Sequence, residues 1–377
     1  MRRGEPRSRV AGEVKAERGC LLIADISGYT DFVMESPLEY AEDVVSDVTA
    51  PVVHELRPVL RVNKLEGDAV FAYALEGEID ASMLVDGIEQ SYFAFRNRLR
   101  GIEHSTSCTC NACAKIPDLN LKFVAHYGSF IRRPATGGEE LTGQDVIVVH
   151  RLLKNTVGER FGLRGFALFT EACTAALGLD PAGAAMAEHV ESYGDVGDVR
   201  VYVQSLEARW EKERHRRPVF VPRGEAGFEI EVLVPAEPAV VWEYLTSPAK
   251  RALWQGEGLE IEEVAPAGRR GVDTTRFCVD GRTTVYEEIL DWRPFHYFTE
   301  AKTLPGPVRL VLTTELEPAA EGTLVRVRAA RPEGRARLAW LVVGPRFRRE
   351  LRGRHERLAG LLQAGARISR PLPFAVR

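Results

Sequence analysis

The sequence lacks the long hydrophobic runs, the density of cysteine and the excess of one charge that mark several classes of protein. Without a run of about 18 apolar residues, no segment is suited to span a membrane. Six cysteines among 377 residues are too few for a disulfide scaffold. The chain has 50 basic and 54 acidic residues, and its net charge of -4 gives no general attraction to nucleic acid. The basic N-terminus has no apolar signal-peptide core, so we expect a cytoplasmic protein.

The length and the distribution of charge indicate more than one domain. At about 150 residues per domain, 377 residues correspond to two or three domains. A charge-dense stretch, Glu207–Arg217, precedes Pro218 and Pro222 and is typical of a linker, although an exposed helix end fits equally well. We therefore predict a disordered tail at 1–17, a first domain at 18–205, a linker at 206–226, a second domain at 227–365 and a tail at 366–377.

The first domain begins with a strand and a helical segment. The short apolar run Cys20–Ala24 predicts a buried strand that leads to Asp25 and Gly28. The helical pattern that follows contains Pro37 and Pro51, and we expect both prolines to break it.

Two carboxylates of this domain could meet at one edge of a sheet. Strand-like runs flank Gly67 and Asp68, which predicts a hairpin that pairs beside the strand of Asp25. Two such carboxylates form a hard oxygen site for Mg²⁺ or Mn²⁺, and Gly28 before a helix offers N–H groups to phosphate. The residues alone leave open that Gly67 and Asp68 form only a turn and that Asp25 is only a cap.

A cysteine cluster interrupts the first domain. The spacing H-x₃-C-x-C-x₂-C predicts a zinc site, and a flexible loop of reduced thiols that senses redox state is equally open. The proposed ligands are His104, Cys108, Cys110 and Cys113. The remaining cysteines, Cys20, Cys173 and Cys278, lie in apolar runs and are expected in the core.

The second domain reads as a strand, short helices, an antiparallel sheet and a long helix at about 336–364, which together form an α+β unit with a cavity. We expect Glu287, Asp291 and His296 at the surface or in a hairpin. Most tryptophans should be core residues. The arginine-rich face of the last helix should be solvated, with contact to a membrane surface or an acidic partner as the less favoured alternative.

Five ordered segments of the first domain resemble the class III nucleotidyl cyclases. They are Ala24–Thr30, Lys64–Val70, Phe123–Gly128, Gly143–Arg151 and Gly197–Val203. The cysteine insert resembles an uncharacterised bacterial subgroup of these cyclase-like domains. The resemblance implies a ferredoxin-like α+β fold, a site shared between two chains of a homodimer, and conversion of ATP to cyclic AMP in signalling.

The same resemblance implies a role for each matching residue. Two Mg²⁺ or Mn²⁺ ions would bind Asp25, Asp68 and the carbonyl of Ile26. Lys64 and Glu140 would recognise adenine, and Arg151 and Arg200 would stabilise the phosphates. The segment Gly28, Tyr29 and Thr30 would complete the nucleotide site.

One position departs from the cyclase pattern and keeps other functions open. Where these enzymes place a ribose-orienting asparagine the chain has Ile147, a loss that could cost about 10²–10³ in rate. A degenerate nucleotide or ligand sensor without cyclase activity is therefore the alternative. A third reading places the function in the second domain and leaves the first as a dimerisation scaffold. The segments Val232–Thr246 and Tyr286–Phe295 of the second domain resemble the first strand and helix and the middle hairpin of the helix-grip START-like and polyketide-cyclase (SRPBCC) superfamily, which implies a small hydrophobic ligand.

Overall fold

The computed structural model describes residues 15–105, 111–135, 138–256, 258–280, 283–304, 308–332 and 336–369. Residues 1–14 of the predicted N-terminal tail lie outside these ranges. The first strand begins at Glu17, the last residue of that predicted tail, after Lys15 and Ala16. The last helix continues to Ser369, beyond the predicted end of the second domain at 365.

The chain divides into two compact units. The first consists of Met1–Asp80, Ala94–Leu177 and Met186–Glu207. The second consists of Ala81–Phe93, Gly178–Ala185 and Ala208–Arg377.

The first unit is built on a mixed sheet with helices. Its strands are ordered β2-β3-β1-β4-β6-β8-β7, and β5 pairs with β4. The pairs among β1 to β4 are antiparallel, whereas β4 and β6 are parallel. The elements are β1 (Glu17–Ser27), α1 (Tyr29–Met34), α2 (Leu38–Leu56), β2 (Arg61–Glu66), β3 (Ala69–Leu75), α3 (Ala81–Ser105, which begins in the second unit), α4 (Asn111–Lys115), β4 (Asn120–Ala135), β5 (Gly138–Thr142), α5 (Gln144–Arg151), α6 (Val157–Phe161), β6 (Phe166–Thr170), α7 (Glu171–Leu177), β7 (Ala187–Tyr193) and β8 (Gly197–Ser205).

The order of the first four strands confirms the predicted ferredoxin-like α+β arrangement. Helical connections lie between β1 and β2 and between β3 and β4, and the sheet order 2-3-1-4 is that of a split βαβ fold. The core packs α5 against the face of β1, β3 and β4, with Leu21, Phe71, Val124 and Val149 fully buried. This packing holds the predicted site residues on rigid elements.

One of the two prolines does not break its helix. Pro37 is the N-cap residue of α2, but Pro51 lies inside that helix, so the predicted break at Pro51 is wrong. A proline removes one backbone hydrogen bond, and here the buried apolar face of α2, including Val48 and Val52 on either side of Pro51, compensates for that loss.

The second unit is an antiparallel sheet followed by a long helix, as the helix-grip prediction required. Its strand order is β10-β11-β12-β13-β14-β15-β9. The charge-dense stretch after residue 206 forms α8, the helical alternative to a linker. The elements are α8 (Leu206–His215), β9 (Ala226–Val234), α9 (Pro238–Thr246), α10 (Pro248–Gln255), β10 (Leu259–Val264), β11 (Thr275–Asp280), β12 (Thr283–Arg293), β13 (Tyr297–Thr303), β14 (Arg309–Ala319), β15 (Gly322–Ala330) and α11 (Ala336–Ser369).

Two acidic residues of β12 are buried, so the surface alternative of their prediction is wrong, while the predicted hairpin is present because β12 pairs antiparallel with β13. Glu287 shares a face with the buried Ile289, whereas a β-bulge between Ile289 and Asp291 turns Asp291 to the opposite face of the sheet. Asp291 accepts hydrogen bonds from the backbone N–H of Val219 at 2.7 Å and from the hydroxyl of Tyr297 at 3.1 Å.

Most of the remaining core predictions are confirmed, but Trp340, also expected in the core, is only half-buried. His296 is exposed, whereas Cys20, Cys173 and Cys278 are buried. Trp242, Trp254 and Trp292 are also buried.

Candidate functional site

The fold brings the two predicted metal-binding aspartates together. In the register of the sheet, Asp25 on β1 lies opposite Ala69 of β3, and Asp68 immediately precedes Ala69 in the hairpin turn. The backbone of Ile26 donates a hydrogen bond to the carboxylate of Asp68. Gly67 adopts φ +64°, a left-handed conformation that suits glycine and closes the two-residue turn.

The electrostatics of this pair suit a divalent cation. Burial, together with the nearby charge of Asp25, raises the pKa of Asp68 to about 6. Two half-buried carboxylates that repel each other form a hard oxygen donor set of the kind that Mg²⁺ or Mn²⁺ binds. In the part of the chain that the structure describes, no three His, Cys, Asp or Glu side chains converge on one point. The further ligands of an ion here would therefore be backbone carbonyl, phosphate or water oxygens.

A lysine that the sequence analysis missed also contacts the pair. Lys122 on β4 lies directly opposite Asp25, and its Nζ is 3.0 Å from Oδ2 of Asp25 and 3.2 Å from the carbonyl oxygen of Leu153. The ammonium group partly balances the carboxylates, and a metal ion would compete with it for Asp25. Only the register of β1 against β4 identifies this residue.

Lys64 is held by a short chain of polar contacts. A bulge in β2 between Val62 and Lys64 changes the direction of the strand before the hairpin. The Nζ atom of Lys64 lies 2.7 Å from Oε1 of Glu66, and Nε2 of His150 lies 3.0 Å from Oε2 of the same carboxylate. The lysine remains partly exposed, as a residue that contacts a base must be.

Glu140 lies on β5, close to the strand that carries Lys64. In the register of the β4–β5 hairpin its backbone lies opposite that of Arg133, and the residue is exposed. The side-chain amide of Asn63 donates to the carbonyl oxygen of the preceding residue, Glu139, at 2.8 Å. The two predicted adenine contacts, Lys64 and Glu140, are thus carried by segments that touch.

The predicted phosphate-binding arginines are exposed and form ion pairs with acidic side chains. Ile147 and Arg151 lie one turn apart on α5 and share a face, with Ile147 54% exposed. Arg151 contacts Asp195 through Nε at 2.8 Å and through Nη2 at 2.6 Å, and Arg200 lies 3.1 Å from Glu188. Exposed ion pairs generally contribute little to stability, and phosphate binding by these two arginines stays a prediction.

A glycine before α1 is required by the backbone conformation and by close packing, in addition to its predicted role in nucleotide binding. Gly28 has φ +84°, and a Cβ at this position would lie 3.1 Å from the carbonyl oxygen of Asp118. Gly28 and Thr30 are exposed and Tyr29 is half-buried at the start of this six-residue helix. Their contact with nucleotide remains a prediction.

The predicted zinc site falls partly outside the described residues. Cys108 and Cys110 lie in the gap between 105 and 111. His104 is exposed on the last turn of α3, and the Sγ atom of Cys113 is 3.3 Å from the hydroxyl of Tyr40. The zinc prediction therefore stays a prediction.

The second unit contains a cavity of about 680 Å³ between α11 and the strands β11 to β13. Part of its lining is apolar and part is charged. The apolar residues are Leu259, Val285, Leu304, Val342, Val343, Phe347 and Leu351, and the charged ones are Glu287, Lys302, Arg346, Glu350 and Arg354. The lining is thus partly charged, whereas the sequence predicted a small hydrophobic ligand.

The charged side of the cavity continues into a buried ionic network. Arg251 donates to both oxygens of Glu287 at 2.7 and 3.0 Å, and Lys302 lies 2.5 Å from Glu287 and 3.0 Å from Glu300. The charge of Arg251 and the other cations holds the pKa of Glu287 well below its usual range, against the effect of burial. Burial lowers the pKa of the nearby His355 to about 4, so this imidazole is neutral.

Comparison with protein families divides the chain in a similar way. Residues 45–160 match the family described as "Protein of unknown function (DUF2652)". Residues 225–363 match the family described as "Polyketide cyclase / dehydrase and lipid transport". The second match agrees with the helix-grip resemblance of the second domain.

One curated relative and several solved structures are similar to parts of the chain. The uncharacterized protein Rv2561/Rv2562 of Mycobacterium tuberculosis is 41% identical over 99 residues, which cover 26% of this chain and 46% of that protein. The chain thus spans about half the length of this relative.

Among solved structures, a bacterial light-regulated adenylyl cyclase is 15% identical with a TM-score of 0.38, covering 50% of this chain and 52% of that one. The guanylyl cyclase Cya2 is 11% identical with a TM-score of 0.40, covering 50% of this chain and 92% of that one. Within the described residues, no helix is long and apolar enough to cross a bilayer.

Proposed function

We propose that the first unit is a class III-type nucleotidyl cyclase domain that converts ATP to cyclic AMP as a homodimer. The observation that carries this proposal is the juxtaposition of Asp25 and Asp68 at the β2–β3 turn, in a fold of ferredoxin-like order. Divalent cations on these carboxylates and the carbonyl of Ile26 would activate the ribose 3′-hydroxyl and bind the triphosphate. Lys122 would release Asp25 when a cation binds.

The reaction closes a ring on the α-phosphorus. The ribose 3′-oxygen forms a bond to this phosphorus, the bond to the β-phosphate oxygen breaks, pyrophosphate leaves and the hydroxyl proton passes to solvent. Arg151 and Arg200 would stabilise the charge that develops on the phosphates. Lys64 can donate to adenine N1 and Glu140 can accept from the adenine amino group, a pattern that guanine does not match.

The homodimer follows from how the proposed site is shared. In the class III cyclases that this domain resembles, the metal-binding residues come from one chain and the residue that matches Arg151 comes from the other, so each interface completes two sites. The exposure of Ile147, Arg151 and Lys64 in the single chain is what residues facing a partner would show. The second unit would bind an amphipathic ligand in its cavity and report its presence.

The proposal is tested by incubating the full-length protein with ATP or GTP and Mn²⁺ and detecting cyclic nucleotide by mass spectrometry. We expect cyclic AMP in excess over cyclic GMP, loss of product when the metal is chelated, and none from the double variant Asp25→Ala/Asp68→Ala. Metal-dependent nucleotide binding without product would instead establish the sensor. Neither binding nor product from the folded protein would place the function in the second unit.

Ile147 provides a test in which activity is gained. We expect Ile147→Asn to raise the rate of cyclisation by up to about 10²-fold, because an amide at this position can hold the ribose in line with the phosphorus. The side chain is exposed, so the substitution should leave stability unchanged. The measurement is the initial rate of cyclic AMP formation.

The matched control is Ile147→Ala, which removes the apolar side chain without adding an amide. It should show no comparable gain. Equal gains in both variants would mean that the isoleucine merely obstructs the site, and no gain in either would remove the ribose role from this position.

A further inference from the structure

A run of apolar side chains is exposed near the start of α11. Leu341 is 72% exposed, Val342 81% and Val343 43%. The helix is anchored by other residues, since Trp340 and Phe347 both pack against Phe228 of β9. The exposed run is therefore an apolar surface on a fixed helix.

Arginines accompany this run along the same helix. Between residues 336 and 364 the sequence has seven arginines and two glutamates, a net charge of +5 in a chain whose total is -4. Arg346 and Arg349 follow Val342 at i+4 and i+7, and Arg348 follows Leu341 at i+7, so they lie on the same faces as the apolar residues. We call Leu341, Val342, Val343, Arg346, Arg348 and Arg349 the mouth face.

The mouth face is continuous with the cavity of the second unit. Val342, Val343 and Arg346 line that cavity and are at the same time exposed. A ligand that enters or leaves there would pass these residues. An apolar strip flanked by guanidinium groups at a cavity opening has the chemistry of the boundary between acyl chains and lipid head groups.

We propose that the mouth face docks on a membrane surface rich in anionic lipid. Leu341, Val342 and Val343 insert into the acyl boundary, and Arg346 and Arg349 bind lipid phosphates, whereas Arg348 donates to the backbone carbonyl of Glu229 at 3.2 Å. Docking places the cavity opening against the lipid, from which an amphipathic ligand can enter without crossing water. This inference does not depend on the cyclase reaction.

The test is co-sedimentation of the full-length protein with vesicles of phosphatidylcholine alone or with about one third phosphatidylglycerol. We expect binding to the anionic vesicles, little to the neutral ones, and weaker binding in high salt. Leu341→Ser/Val342→Ser and, separately, Arg346→Glu/Arg349→Glu should each weaken binding about tenfold or more.

Two matched controls test whether vesicle binding depends on the mouth face itself or on net charge and surface hydrophobicity in general. Val264→Ser removes an exposed valine from β10, and Arg223→Glu/Arg309→Glu makes the same change of net charge elsewhere in the unit. Both should bind like the wild type, and all variants should keep the wild-type unfolding midpoint.

Several outcomes would overturn the proposal. One is the absence of wild-type binding to anionic vesicles, and another is an equal loss of binding in the controls. A third is self-association of the wild type that Leu341→Ser/Val342→Ser abolishes, since a second copy of the chain would then cover the face.

Discussion

Replacement of Asp68 by alanine is expected to lower cyclic AMP formation by at least about 10³-fold. A metal-binding carboxylate contributes several kcal/mol of charge stabilisation in the transition state, and each 1.4 kcal/mol corresponds to about tenfold in rate. The variant should remain folded, because Asp68 lies in a two-residue turn and its removal relieves repulsion with Asp25. The measurement is the initial rate with ATP and Mn²⁺, beside an unfolding curve.

The control for this variant is Asp47→Ala, which removes an exposed aspartate of α2 that pairs with Arg98. It should retain the wild-type rate. Comparable losses in the two variants would show that the effect is general and not a property of the metal site.

Mixing two inactive variants tests the shared site. When Asp68→Ala and Arg151→Ala chains exchange partners at equal amounts, half of the dimers carry one intact site, so about a quarter of the wild-type activity should return. Failure to recover activity in a mixture whose dimers demonstrably exchange would contradict a site built from two chains.

Replacement of Glu287 by alanine is expected to destabilise the second unit by about 3–5 kcal/mol. Its carboxylate is the common partner of the buried Arg251 and the largely buried Lys302. Its removal leaves Arg251 without a counter-charge in a medium that solvates it poorly, and leaves Lys302 with Glu300 alone. The measurement is the free energy of unfolding in urea, followed by the fluorescence of Trp242 and Trp292.

The neighbouring residue on the same strand is the matched control. Glu288 forms an exposed ion pair with Arg309 at 3.2 Å, and Glu288→Ala should cost less than about 1 kcal/mol. Adding Arg251→Ala to Glu287→Ala should cost less than the sum of the single losses, because the two residues form one unit. Equal losses at 287 and 288 would show that the buried network does not stabilise the fold.

Much of the architecture could be predicted from local pattern. The apolar run after Gly19, the Gly67–Asp68 turn and the period-two strand at Phe228 each produced the expected element. These features depend on neighbours in the chain, which is why the sequence reveals them. The prediction for Pro51 was wrong because burial of a whole helix face outweighed one missing hydrogen bond.

For the candidate site, the proximity of the two aspartates could be predicted from the sequence, whereas their contact with Lys122 could not. The ordered motifs pointed to Asp25, Asp68 and Lys64, and the hairpin and strand register place the two aspartates together. Lys122 was missed because it lies almost a hundred residues from Asp25 in sequence and meets it only across the sheet.

Residue chemistry and spacing in the sequence were enough to establish two α+β units, the aspartate turn and the arginine-rich last helix, because each rests on local periodicity. The burial of Glu287 and Asp291, the lysine on Asp25 and the charged wall of the cavity required the folded chain. A charge is stable in the interior only where distant residues supply its counter-charge, and the register of strands and helices selects those partners.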